Sequence, residues 1–135
     1  MAEIGLAASV IAVLHLTESC LKASRQWLGP SEFRSSDRTA MITALYEFNG
    51  ALKTFETCLK IHEDNEARLR SLDHLTPTLQ RCEEALNILQ DFIERSGFVG
   101  KYVVGPKFDK KLKASLKALD GAKELFMLAL LGDQQ

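Results

Sequence analysis

Proline, histidine, cysteine and tryptophan are all scarce in this 135-residue chain, and each scarcity removes a class of explanation. Three prolines are too few for a polyproline or low-complexity segment. The three cysteines, Cys20, Cys58 and Cys82, are odd in number, widely spaced and without a CxxC pair. They exclude a disulfide framework and a zinc ribbon, and the expectation is buried, reduced thiols in a cytoplasmic protein. The three histidines, His15, His62 and His74, are scattered and make no HExxH pair. A glycine-rich phosphate loop and a GxSxG elbow are both missing. The acidic pairs Glu63-Asp64 and Glu83-Glu84 lie in polar stretches, without the enforced burial that tunes a catalytic carboxylate. No catalytic residue, metal or cofactor is therefore expected, and the protein is read as a non-enzyme. A net charge of −1 gives no sign of nucleic-acid binding. Glu3 stands where a signal peptide would carry a basic residue, so no leader is expected.

What is present is an ordinary globular balance, 46% apolar and 26% charged residues, arranged with helical periodicity. The pattern predicts an all-α, antiparallel four-helix bundle filling residues 1–135 as a single domain. The first block runs from Ala2 to Leu28 and stops at Gly29-Pro30. Ser35 or Ser36 caps a second block ending at His62. Its seam is Met41, Leu45, Phe48, Leu52, Phe55 and Leu59, in steps of four and three. The third block begins near Asp64 or Asn65 and ends at Ser96-Gly97, with the seam Leu69, Leu72, Leu79, Cys82, Leu86, Leu89 and Ile93. Pro77 breaks or kinks it, and Thr76 as N-cap would place that proline at a tolerated first position. Residues 97–108 read as an apolar loop, with Val103-Val104 briefly extended. The last helix opens between Pro106 and Asp109, runs to Leu131, and turns Leu112, Leu116, Leu119, Phe126 and Leu130 inward. If the second and third seams face another chain, the unit is an oligomer.

Two regions depart from the ordinary. Between Ile4 and Leu16 no residue is charged, and Ser9 and His15 are the only polar ones. Ile4, Leu6, Val10, Ile11, Val13, Leu14 and Leu16 cover most of the circumference, unlike a surface helix with its polar stripe. Such a helix is either fully surrounded in the bundle or able to leave it for a membrane. Thirteen residues rise only about 20 Å against a hydrocarbon core of about 30 Å, and reaching Leu21 draws Glu18 into the apolar layer, so a resident span is excluded. The second region is basic: Lys101, Lys107, Lys110, Lys111, Lys113 and Lys117, opposed only by Asp109. It reads either as a solvated face or as a patch for anionic lipid headgroups. Without arginine, and with only Tyr102 and Phe108 to stack, it suits nucleic acid poorly.

Three stretches carry a family resemblance. MAEIGLAASVIAVLHLT at the start looks like the opening of the fungal HeLo-like amino-terminal domain, found at the front of fungal STAND (NOD-like) receptors and related cell-death proteins. LTPTLQRCEEALNILQDFIE is similar to that family's Pro-x-Leu-x-x-Cys pattern leading into a leucine-rich helix. GPKFDKKLKASLKALDGAKELFMLALL resembles its closing basic helix with an apolar end, although Val104-Gly105-Pro106 stands where the family often carries a tryptophan. The resemblance implies a bundle like the executioner domain of mixed-lineage kinase domain-like protein and plant helper-receptor amino-terminal domains. It implies clustering into a homo-oligomer, recruitment from the cytoplasm to the plasma membrane, and permeabilisation in programmed cell death. By position, Ile4 to Leu16 would be the inserting segment; the lysines match no family motif. The chain closes at Gln135 without a nucleotide-binding or amyloid-forming segment, so one domain cut from a longer protein is expected. The competing expectation is a protein–protein interaction module of a signalling receptor that never touches lipid.

Overall fold

A computed structural model describes residues 2–26, 35–99 and 106–133, with side chains at 5–25, 39–94 and 110–131. Long apolar seams at helical spacing make four long helices: α1 (Ala2–Gln26), α2 (Ser35–Ile61), α4 (Thr76–Val99) and α5 (Pro106–Asp133). Between α2 and α4 lie the short α3 (Glu66–Ser71) and a 3-10 turn, Asp73–Leu75. No strand occurs among the described residues. The ends expected near Gly29-Pro30 and the extended Val103-Val104 lie outside them.

The four long helices form a bundle in which α1 packs on α2 and α4, and α5 packs on the same two from the other side. The seam of α2 from Met41 to Leu59 is buried throughout, as is the seam from Leu69 to Ile93. Neither is available to another chain, so the oligomer expectation based on them is withdrawn. Four phenylalanines, Phe48, Phe55, Phe92 and Phe126, are sealed at 1% exposure or less. Phe126 of α5 stacks on Phe55 at 5.0 Å between ring centroids and meets Phe48 at 6.2 Å. Leu116 and Leu130, expected inward, are only half-buried on α5.

The junction between α2 and α4 is set by short-range chemistry. Asn65 Oδ1 accepts the backbone N–H of Arg68 at 3.1 Å and caps α3. Arg68 Nη2 then donates to the Ala129 carbonyl at 3.0 Å, which ties α3 to the end of α5. Leu69, Leu72 and Leu75 turn into the core. Thr76 has helical dihedrals, φ −56° and ψ −47°, and its N–H bonds to Asp73 O, so it is not the N-cap expected of it. Pro77 is the second residue of α4, where its missing N–H would have no intrahelical partner.

Three other boundaries differ from expectation. Ser35 and Ser36 are the first helical residues of α2 rather than flanking caps. Glycine does not end α4 at Gly97 or α5 at Gly132: the helices run on to Val99 and Asp133. One glycine costs a helix only about 1 kcal/mol, less than the packing that holds it. Of the residues expected in the apolar loop, Gly97–Val99 and Pro106–Phe108 lie inside helices, and 100–105 lie outside the described residues.

Removal of the Phe126 ring should cost about 3–5 kcal/mol of unfolding free energy, through lost burial and the cavity between Phe48 and Phe55. Urea titration of Phe126→Ala checks this, with Glu124→Ala on the exposed side as a control expected within about 0.5 kcal/mol of wild type.

Candidate functional site

The first helix has two unlike sides. Leu6, Val10, Val13, Leu14, Thr17, Cys20, Leu21 and Ser24 are buried against α2 and α4. The opposite side, Gly5, Ala7, Ala8, Ile11, Ala12 and His15, is exposed and carries no Asp, Glu, Lys or Arg until Glu18. Full enclosure by neighbouring helices is thus corrected: α1 has a water-facing side, half of it alanine. Alanine is neutral enough to sit in water at little cost, which hid this side from the hydropathy pattern. Among the seven residues assigned to insertion, Leu6, Val10, Val13 and Leu14 are core, Leu16 is half-buried, Ile11 is 46% exposed, and the Ile4 side chain lies outside the described ones.

The polar groups on the inner side are satisfied within the helix itself. Thr17 Oγ1 donates to the Val13 carbonyl and Ser24 Oγ to the Cys20 carbonyl, each at 2.7 Å. These bonds travel with α1 wherever it goes. By length and composition, Gly5–Arg25 is the one stretch among the described residues able to cross a membrane; 39% of it is buried in the bundle. A core helix of a soluble protein passes the same test.

Beside α1 runs an open apolar groove of about 450 Å³, lined by Ala7, Ala8, Val10, Ile11, Leu59 and Leu69, with Glu56, Lys60 and Glu63 at its rim. It continues into a more polar recess holding His15, Glu18 and Lys53. The rim is bridged by Glu18–Lys53 and Glu56–Lys60, both at 3.9 Å, the first pair exposed and the second with Glu56 half-buried. Pairs of that kind contribute at most about 1 kcal/mol.

Lys110, Lys111, Lys113 and Lys117 lie exposed on the first half of α5. Lys107 is in the first turn of α5 with its side chain outside the described ones, and Lys101 lies outside the described residues altogether. The two candidate regions are not brought together. The Ala129 end of α5 adjoins α3, whose Leu69 shares the groove with Ala7 and Ile11. The lysines begin a dozen residues back along α5, about 18 Å away.

An apolar surface was missed by the reading of sequence. Leu125, Met127, Leu128 and Leu131 are exposed at 41%, 52%, 62% and 56%. The signal was present, since seven consecutive uncharged apolar residues, Leu125–Leu131, cannot all face one core.

Cys20, Cys58 and Cys82 are buried and form no disulfide. Cys20 Sγ reaches the Leu86 carbonyl at 3.4 Å, bridging α1 to α4. Desolvation, helped by nearby Glu94, pushes the Cys20 thiol up to about 12. Desolvation does the same for Cys82, to about 12, against a small opposing effect of Arg81. Such thiols are poor nucleophiles at neutral pH. Among the described residues no group of three His, Cys, Asp or Glu is placed to hold a metal.

Comparison with protein-family models, with curated proteins and with solved structures finds no match to this chain.

A thiol raised in the folded state favours folding fully below its unfolded value of 9.0 and loses that contribution as pH rises toward about 12. Chemical denaturation should therefore show stability falling above pH 9, by up to about 1.4 kcal/mol per pH unit for each thiol. Cys20→Ala with Cys82→Ala should flatten that slope.

Proposed function

We propose that this chain is a membrane-acting executioner bundle of the HeLo-like kind. Cytoplasmic at rest and clustered by an upstream signal, it releases α1 into the plasma membrane and permeabilises it, causing cell death. One observation carries the reading: the outward side of α1 is uncharged from Gly5 to His15, while its inward hydroxyls are already bonded within the helix. Such a helix carries its Thr17 and Ser24 hydroxyls into hydrocarbon already bonded to its own backbone. Lys110, Lys111, Lys113 and Lys117, with Lys101 and Lys107 beside them in sequence, would hold anionic headgroups during approach. On this reading α1 with α2, and α4 with α5, are antiparallel hairpins, and the break before Pro77 lets the chain cross between them. The Glu18–Lys53 bridge and the meeting of Val10 with Leu59 support that direction for the first hairpin.

A second reading is a protein-interaction module with no lipid activity. It is favoured by the exposure of Leu6, Val10 and Val13, at 1% or less, which marks them as ordinary core.

Leakage of dye from anionic vesicles, with the full chain fused to an inducible oligomeriser, separates the two. Ala8→Glu and Ala12→Glu lie on the exposed side and should leave the fold intact. A charge at mid-bilayer costs about 2.5–3.5 kcal/mol, so leakage should fall on the order of a hundredfold. Full leakage from folded Ala8→Glu and Ala12→Glu would end the case for α1 insertion. Replacement of Lys110, Lys111, Lys113 and Lys117 by Gln should weaken vesicle binding by about 1 kcal/mol per lysine. Binding that survives both this change and high salt removes the electrostatic approach.

A further inference from the structure

Among the described residues nothing in the bundle covers the outward side of α5. Ala114, Ala118, Gly121, Leu125 and Leu128 follow one another in steps of four, three, four and three, and all are exposed. That spacing draws a straight seam down a helix. A Cβ added at Gly121 would meet nothing within 4 Å, so the middle of the seam is open. With Leu131, which adjoins Leu128 one turn on, the exposed leucines present on the order of 300 Å² of apolar surface, within the range of the largest patch on an ordinary monomer and often functional. The hydrogen bond from Arg68 to the Ala129 carbonyl anchors this end of α5.

We infer that this face of α5 pairs with the same face of a second copy, antiparallel about a two-fold axis near Gly121. Two properties of the seam select that occupant. Its side chains are graded, small from Ala114 to Gly121 and large at Leu125 and Leu128. Antiparallel pairing lays the leucines of each copy over the small half of the other, the self-complementarity that a two-fold interface demands. Charge is graded the same way. Lys110, Lys111, Lys113 and Lys117 crowd one half, while Glu124 flanks the other, where Lys123 is turned to Glu47 and Asp120. The antiparallel arrangement separates the two lysine clusters and brings Lys117 of one copy toward Glu124 of its mate; a parallel one stacks like charges. A lipid surface would exploit neither gradient. Two such patches, even with the lysine stems and the alanine stripe, stay below the roughly 1,200 Å² at the low end of stable interfaces, so a weak, concentration-dependent dimer results.

This inference does not depend on membrane activity, because mass in solution and vesicle leakage are read separately. Sedimentation equilibrium of the full chain over a wide dilution series should show about twice the 15.0 kDa chain mass at the concentrated end. Leu128→Glu and Gly121→Arg should each return it to monomer with an unchanged helical spectrum. The second cannot act by unfolding, since replacing an exposed helical glycine strengthens the helix. Under mild oxidation Gly121→Cys should cross-link two copies, whereas Ala114→Cys, far from the axis, should not. A monomer at every concentration overturns the inference, as does a dimer indifferent to both variants. Cross-linking through Ala114→Cys instead of Gly121→Cys overturns the antiparallel geometry. Should the monomeric chain float with phosphatidylserine vesicles in a manner abolished by Leu128→Glu, the face belongs to lipid and the pairing is refuted.

Discussion

One stripe of α1 holds the bundle together. Leu6, Val10, Val13, Leu14, Thr17, Cys20, Leu21 and Ser24 fill the cleft between α2 and α4, and the Cys20 thiol reaches across to the Leu86 carbonyl. Five of these side chains are large aliphatics, each worth about 2 kcal/mol when fully buried, so their sum is on the order of the entire stability of a typical domain. Every functional reading must respect that magnitude. A helix holding so much of the core is not a loose appendage.

Release of such a helix is possible only if both halves of the broken contact are re-covered. A bilayer re-covers α1: it buries the same leucines and valines, adds Ala7, Ala8, Ile11 and Ala12, and meets Thr17 and Ser24 already bonded to their own helix. It does nothing for the three helices left behind, whose seams around Leu45, Leu52, Leu86 and Leu89 would then face water. Those seams need other copies. On the proposed function the energetics would couple α1 departure to clustering: a lone chain in contact with a membrane would keep α1 in place, and a crowded one could exchange one cover for another. The interaction-module reading requires no such exchange, which is why the exposed side of α1, rather than its buried side, distinguishes them.

Much of this architecture was legible because leucine and phenylalanine at steps of three and four have one low-energy destination. The α2 seam from Met41 to Leu59 is the clearest instance, buried in full as its spacing requires. The reading went astray where residues are indifferent. Ala7, Ala8 and Ala12 belong equally well inside or outside, so the open side of α1 left no trace in its hydropathy. Gly97 and Gly132 were read as stops, but a helix-interior penalty of about 1 kcal/mol yields to tertiary packing. Thr76 was read as a cap, yet the preceding 3-10 turn had already supplied a helical N-terminus through the Asp73 carbonyl. The apolar end of α5 was legible and passed over, because a run such as Leu125–Leu131 resembles core until one asks how many sides of a helix a single core can touch.

The placement of charge along α5 constrains how the bundle could meet a bilayer. Its lysine cluster, Lys110 to Lys117, occupies the half remote from α3, while the groove formed by Ala7, Ile11, Leu59 and Leu69 lies at the α3 end. On the proposed function, headgroups drawn to Lys117 would lie about 18 Å along α5 from its Ala129 end, and those at Lys110 farther still. The electrostatic step alone cannot deliver α1 to the lipid. It concentrates chains on a surface, within the Debye length of about 10 Å over which exposed charge acts, and leaves insertion to whatever frees the α1 stripe from α2 and α4. Attraction and insertion are thus separable by residue: lysine replacement acts on the first, and an added charge at Ala8 or Ala12 acts on the second.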